Sequence, residues 1–381
     1  MMLDKIYLET LSRHLKESNV LTVEMLVWLI QSYRTIQIEK LSKYLPMPIK
    51  FESRRKKVKR ILALDELTLE SVWLPIIKQL IDKWAKNRKQ LFLAIDRTQW
   101  KNRNILMVSV IIGKRAFPIY WTLLDKKGNS SLEEQTNVLK PVLELLKDYD
   151  LIVLGDREFH SAKLAEYFLG EEVGFVLRQK KNTNISTEDK DFYQIGDLQP
   201  KPGTREFHPD IIFTKTHKLK RTSLGVYWKR KYRDMGEKEP WFLLTNLPSL
   251  QDAIRAFRKR TGIEAMFKDC KTGGYNLEGS HASDKRLHSL LLLMAIAYTH
   301  STFNGFSIRL AGQAEYIGRH RKIHGKYTPN SHFYLGLFAS TWILDFSFLQ
   351  DFIARLFALH PNKHSFYNRG LKAMSITQSA F

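Results

Sequence analysis

Between Leu91 and Leu177 the chain carries five short apolar runs, and two of them lead into an aspartate, one directly and one across a single glycine. Leu91-Phe92-Leu93-Ala94-Ile95 runs into Asp96, and residues 105–112 form a second run rich in β-branched side chains. Gly113-Lys114-Arg115-Ala116 then turns the chain into a third run, residues 117–124. Runs this short, bounded by turn residues, read as strands, and three in succession read as an antiparallel meander. Ser131 and Glu134 form a capping-box pattern ahead of a helix whose Leu132, Leu139, Val142, Leu143 and Leu146 share a face, with a kink expected at Pro141. Leu151-Ile152-Val153-Leu154 leads into Gly155-Asp156-Arg157-Glu158, a short helix covers residues 161–169, and 173–177 is a fifth strand.

Three strands, a helix, a strand, a helix and a strand is the order of a ribonuclease-H-like domain, an α/β fold with a mixed sheet and helices on its faces. In that order the first and fourth strands lie side by side, which would bring Asp96 and Asp156 together. The rest of the chain arranges itself around this core. Residues 1–88 read as a helical DNA-binding module and 89–180 as the first part of the core. Residues 181–248 read as a β-rich insertion with strands at 210–216, 225–232 and Trp241–Thr245. Helical periodicity resumes at Leu250, so 249–300 is expected to complete the core and 301–381 to form a helical carboxy-terminal region.

Charge narrows the partner. The 381 residues hold 61 Lys and Arg against 39 Asp and Glu, a formal charge of +22, which points to a polyanion and above all to nucleic acid. The basic residues are spread along the chain and not gathered on one amphipathic helix, so membrane attachment is the weaker reading. The longest apolar run, residues 287–297, is too short to span a bilayer. No signal-peptide pattern follows Met1-Met2-Leu3-Asp4-Lys5, so a cytoplasmic protein is expected. The single cysteine, Cys270, rules out an intrachain disulfide and a cysteine-based zinc site. His160, His281 and His288 are irregularly spaced and read as structural or surface residues.

Two carboxylates held close repel unless they share a proton or a cation, and hard oxygen donors suit Mg²⁺ or Mn²⁺. A third acid is available in Glu264, within the series Phe257, Arg260, Glu264, Lys271. At about 100° per helical residue these four fall within a sector of roughly 60°, one face carrying a ring, a guanidinium, a carboxylate and an ammonium. Gly273-Gly274 supplies a stop. Asp96, Asp156 and Glu264 would hold two ions about 3.5–4 Å apart and cut or join a phosphodiester. Arg260 and Lys271, with Lys268 near the same face, would grip the flanking phosphates. Arg157, beside the second aspartate, is a lesser candidate for DNA contact. The basic run Ser53-Arg54-Arg55-Lys56-Lys57-Val58-Lys59-Arg60 is either a DNA-contacting segment or a solvated helix face.

The pattern Phe257-x2-Arg260-x3-Glu264-x6-Lys271 resembles the Tyr-x2-Arg-x3-Glu-x6-Lys signature of DDE transposases of the insertion-sequence-four family. Arg260-Thr261-Gly262-Ile263-Glu264-Ala265-Met266-Phe267-Lys268, Asp96-Arg97-Thr98 and Gly155-Asp156-Arg157-Glu158 are similar to that family's other signature segments. The resemblance implies a Mg²⁺-dependent transposase that cleaves DNA at the ends of an insertion sequence and joins the freed 3′ hydroxyls to target DNA. It also implies that Trp241, in Trp241-Phe242-Leu243-Leu244-Thr245, stacks on a flipped base, against the alternative of a sheet-core residue. Phe257 stands where the signature has tyrosine, so a hydroxyl contact to phosphate is absent while ring packing on DNA remains. Expected partners are double-stranded DNA, at element ends and target, and a second copy of the chain in the DNA complex. The expected setting is bacterial and nucleoid-associated. A ribonuclease-H-like nuclease that does not join strands, or a non-catalytic DNA-binding descendant of a transposase, are the other readings of the same residues.

Overall fold

The computed structural model describes residues 3–100, 103–187, 191–230, 239–280, 282–318, 321–323, 326–328, 330–342 and 346–378. They fall into two compact units, one made of Met1–Leu80 with Phe267–Phe381, the other of Ile81–Met266. The first opens with helices α1 (Lys5–His14), α2 (Glu17–Tyr33), α3 (Ile38–Tyr44) and α4 (Phe51–Ile61), then a π-helical turn at Leu69–Trp73 that leads into α5 (Leu74–Trp84). Nearly every side chain from Val20 to Ile30 on α2 is buried, so this helix is the core of its unit.

The basic run on α4 divides between two jobs. Arg54 donates to the carbonyls of Ser42 and Ile49 at 3.0 Å each, bracing the link between α3 and α4. Arg55 pairs with Glu39 at 2.6 Å and Glu52 at 3.2 Å, and Lys57 reaches Asn19 at 3.3 Å. Val58 and Ile61 face the interior, which leaves Ser53, Lys56 and Arg60 exposed on the other side of the helix.

In the second unit, β1 (Gln90–Trp100), β2 (Arg103–Ile112) and β3 (Arg115–Leu124) form the expected meander. Next come α6 (Leu132–Leu145), β4 (Asp150–Gly155), α7 (Ala162–Gly170) and β5 (Gly174–Arg178). Ser131 and Glu134 make a true capping box: each side chain bonds the other's backbone N–H, at 3.2 and 2.6 Å. Helix α6 continues through Pro141. β4 and β5 run parallel to β1, giving the order β3-β2-β1-β4-β5. This is the ribonuclease-H-like arrangement read from the sequence.

The insertion strands are β6 (Asn184–Ser186), β7 (Tyr193–Gln194), β8 (Arg205–Phe213), β9 (Leu219–Tyr227) and β10 (Trp241–Thr245). Two of them start earlier than the sequence indicated, because backbone pairing between β8 and β9 runs through polar residues such as Arg205, Glu206 and His208, which carry no apolar alternation to mark a strand; the expected end at Tyr232 lies outside the described residues. The strands also continue the core sheet. β10 pairs antiparallel with β5, and the sheet runs on as β10-β9-β8-β6-β7 to ten strands. The buried hydroxyl of Thr245 donates to the Phe175 carbonyl at 2.6 Å and fastens this junction.

Where one continuous helix was expected from Phe257 to Lys271, there are two, α8 (Leu250–Lys259) and α9 (Thr261–Cys270). At the break the N–H groups of Arg260 and Ile263 bond carbonyls three residues back, at 3.0 Å each, and the Thr261 hydroxyl donates to the Arg258 carbonyl at 3.1 Å. Thr261-Gly262 are poor helix formers, and Gly262 packs closely on the turn before β3: a Cβ there would lie 3.2 Å from the backbone nitrogen of Ala116. Lys271 falls just past the end of α9.

The first unit is completed by α10 (Asp284–Leu310), α11 (Ala314–Ile317), β11 (Arg321–Ile323), β12 (Lys326–Thr328), α12 (His332–Trp342), α13 (Phe346–Leu359) and α14 (His364–Gln378). The 287–297 run lies on α10 and is almost wholly buried. Among the described residues no helix is long and apolar enough to cross a membrane. The region after residue 300 is not wholly helical: β11 and β12 pair antiparallel.

α10 and α12 cross at two glycines. A Cβ on Gly305 would collide with the His332 carbonyl, and one on Gly336 with the Ser301 carbonyl. Gly336→Ala must therefore separate the helices, and thermal melts should show a loss of about 1–3 kcal/mol or more; an unchanged melting temperature would refute the close crossing.

Candidate active site

The parallel ladder between β1 and β4 ends at the pair Ile95 and Gly155. Asp96 and Asp156 are the next residues, so two carboxylates leave neighbouring strands at one level, at the carboxyl end of β4. Each is oriented locally. The N–H of Arg97 donates to Asp96 Oδ1 at 2.8 Å, and the N–H of Glu158 donates to Asp156 Oδ1 at 2.8 Å, capping the short 3₁₀ turn Arg157–Phe159.

Arg260, at the junction of α8 and α9, joins Asp96 to the third acid. Its Nη1 donates to Asp96 Oδ2 at 3.1 Å, and its Nη2 donates to Glu264 Oε1. Asp96 and Arg260 are each only 14% exposed, whereas Glu264 is 54% exposed. Burial pushes the Asp96 carboxyl up to about 7; Arg260 opposes the rise, and the nearby charges of Asp156 and Glu264 add to it. One guanidinium thus does not neutralise three carboxylates in a partly dry site.

Among the described residues no three His, Cys, Asp or Glu side chains form a ready-made metal cage, because Arg260 holds the position between Asp96 and Glu264. The donor chemistry nevertheless fits a hard divalent ion: Asp96 and Asp156, with Glu264 across Arg260, offer only oxygen, and the site carries surplus negative charge. His160, beside this turn, has its pKa lowered by burial. His281 lies outside the described residues.

A carboxyl whose folded-state pKa lies above its unfolded value of 3.8 is most stabilising below about pH 4, and that contribution is lost as pH rises toward 7. Asp96→Asn should therefore raise the melting temperature of the protein in chelator at pH 8, with little gain at pH 4. Equal effects at both values would contradict the strained carboxylate.

An aromatic group adjoins Arg260, whose guanidinium carbon lies 5.8 Å from the centre of the Phe257 ring. Trp241, at the start of β10, is half-buried, with its ring 5.0 Å from Phe257 in an edge-on arrangement and 5.6 Å from Tyr227. Phe257 is 5% exposed, so its ring is committed to this packing and not to a sugar or base. Arg157 holds Glu239 with both terminal nitrogens at 3.2 and 2.6 Å, and Arg178 at the end of β5 reaches the same carboxylate at 3.2 Å. Lys268 lies on the last turn of α9 and Lys271 pairs with Glu278 at 3.3 Å; both belong to the helical unit. Arg178 and Glu239 carry no mark in the sequence that would single them out from other charges; Arg97 and Glu158 lie in the segments around the two aspartates, but nothing local shows that they pair.

A family model described as "Transposase DDE domain" matches residues 87–299, more than half of the chain. No curated protein matches. Among solved structures, a cryo-EM structure of a piggyBac transposase synaptic complex with hairpin DNA is 14% identical, covering 91% of this chain and 80% of that one with a TM-score of 0.43. A Marinitoga piezophila Argonaute bound to guide RNA and target DNA is 10% identical, covering 57% and 32% with a TM-score of 0.21. Superpositions this loose carry no weight beside the sequence match, which spans both aspartates and Glu264. On that match the chain belongs to the transposase DDE domain family.

Proposed function

We propose that this protein is a divalent-metal-dependent DNA transposase of the insertion-sequence-four type, with Asp96, Asp156 and Glu264 as its metal ligands. The observation that carries the reading is the meeting of these acids with Arg260 at the end of the β1/β4 ladder, in a chain with a net charge of +22. Mg²⁺ or Mn²⁺, as two ions, would supply Lewis acidity and an activated oxygen nucleophile. The protein's own residues do the rest. Asp96 and Asp156 are aimed by backbone N–H groups and stay fixed while charge develops. Arg260 offsets part of the acids' charge in the free protein through Asp96 and Glu264, and its guanidinium suits a bidentate phosphate grip once metal takes over that task. Trp241 offers a part-exposed indole face for an unstacked base, backed by Phe257. Arg157, Lys268 and Lys271 add positive charge for the DNA backbone.

Substrates in this reading are the terminal inverted repeats of the element and a target duplex, with two copies of the chain acting together. The module of residues 1–88 binds the repeats through the outward side of α4, where Lys56 and Arg60 are exposed while Arg54, Arg55 and Lys57 serve the fold. A helix braced against a short partner and presenting one polar face is suited to a major groove.

Two measurements decide the matter. With Mg²⁺ or Mn²⁺ and DNA bearing the repeats that flank its gene, the protein should nick at their ends, and Asp156→Asn should abolish nicking while leaving binding intact; cleavage that survives this substitution would sink the metal assignment. Replacing Lys56 and Arg60 by alanine should weaken binding to all duplexes and lower the slope of log K against log salt by about 0.9 per lost phosphate contact. An unaltered slope would remove α4 from the interface.

A further inference from the structure

Asp96 and Asp156 stand where the backbone ladder between their strands has just ended, so no pairing beyond Ile95 and Gly155 resists their mutual repulsion. Consecutive strand residues project to opposite faces, and Arg97 therefore leaves β1 on the side away from Asp96. Its Nε donates to Glu158 Oε2, which places an ion pair across the same gap. Glu158 is 10% exposed and Arg97 24%. The other carboxylate oxygen of Glu158 accepts from the N–H and hydroxyl of Ser130 at 3.0 and 2.8 Å, and the Arg97 guanidinium is held by the Lys127 carbonyl at 3.4 Å and Asn129 Oδ1 at 3.3 Å. The loop between β3 and α6 thus secures both members.

These two residues also supply the N–H groups that orient the acids, Arg97 to Asp96 and Glu158 to Asp156, at 2.8 Å each. One side-chain pair therefore connects the two backbone amides that aim the two carboxylates. We propose that Arg97 and Glu158 are positioning residues, a clamp that fixes the separation and orientation of Asp96 and Asp156 for metal binding. This rests on the reading of those aspartates as metal ligands. The clamp itself touches neither metal nor DNA; it acts through the acids, as groups bonded to metal ligands commonly do.

The test is Mn²⁺ binding by the full-length protein, measured from the paramagnetic resonance of free Mn²⁺, for wild type, Asp156→Asn, Glu158→Gln and Arg97→Lys. Glu158→Gln keeps an acceptor for Ser130 but loses the charge that holds Arg97. It should weaken Mn²⁺ binding about tenfold or more and raise the Mn²⁺ needed for half-maximal nicking by the same factor. DNA affinity without metal should not change, which a general structural loss would not spare. Arg97→Lys should fall between this variant and wild type. If Glu158→Gln does not fold, the double variant Arg97→Met with Glu158→Leu, which replaces the buried pair by apolar contact, takes its place. A folded variant without the pair that binds Mn²⁺ as wild type does overturns the proposal. If wild type itself takes up no Mn²⁺ that Asp156→Asn removes, the reading of the acids falls first and the clamp with it.

Discussion

The parallel pairing of β1 with β4 is the constraint from which the rest of the site follows. It sets two strands from distant parts of the chain in register, ending at Ile95 and Gly155, and so delivers Asp96 and Asp156 to one edge. Parallel neighbours need a crossover, and the capped helix α6 provides it. Holding two acids at that edge has a cost, visible in the raised pKa of Asp96. The surrounding structure offsets it in two places: Arg260 faces the acids from the helical side, and Arg97 with Glu158 ties the strands from beneath. Sites that concentrate like charge in this way give up stability for chemistry.

The insertion extends the same logic to the DNA side. Because β10 joins β5 directly, Trp241 is carried by the same sheet whose β1 and β4 lead into the aspartates. Phe257 completes the arrangement from α8. A buried phenyl ring edge-on to the indole supports it mechanically. Arg157 and Arg178 meet at Glu239, a carboxylate seated where two guanidinium groups converge.

Much of this was legible in the residues. The strand order of the core, the capping box at Ser131 and the adjacency of Asp96 and Asp156 all follow from local patterns: apolar runs of strand length, a side chain three residues before its partner, and the topology those imply. The basic run at 53–60 was visible too, but its division into bracing and exposed residues was not. That depends on where the Ser42 and Ile49 carbonyls lie in space. The continuous helix expected over Phe257–Lys271 fails for a similar reason: periodicity records which residues share a face, and says little about a break imposed by the hairpin turn packed on Gly262.

By itself the sequence determined the strand order of the core and the net positive charge of the chain, because these depend on residue type and spacing. Only the tertiary structure decided that the insertion would lengthen the core sheet, that Arg260 would stand between Asp96 and Glu264, and that Arg97 would find Glu158. The Arg97–Glu158 and Asp96–Arg260 contacts join residues 61 and 164 positions apart, and no local pattern encodes them. They arise when strand pairing closes the chain and each buried charge must find a partner or leave the interior.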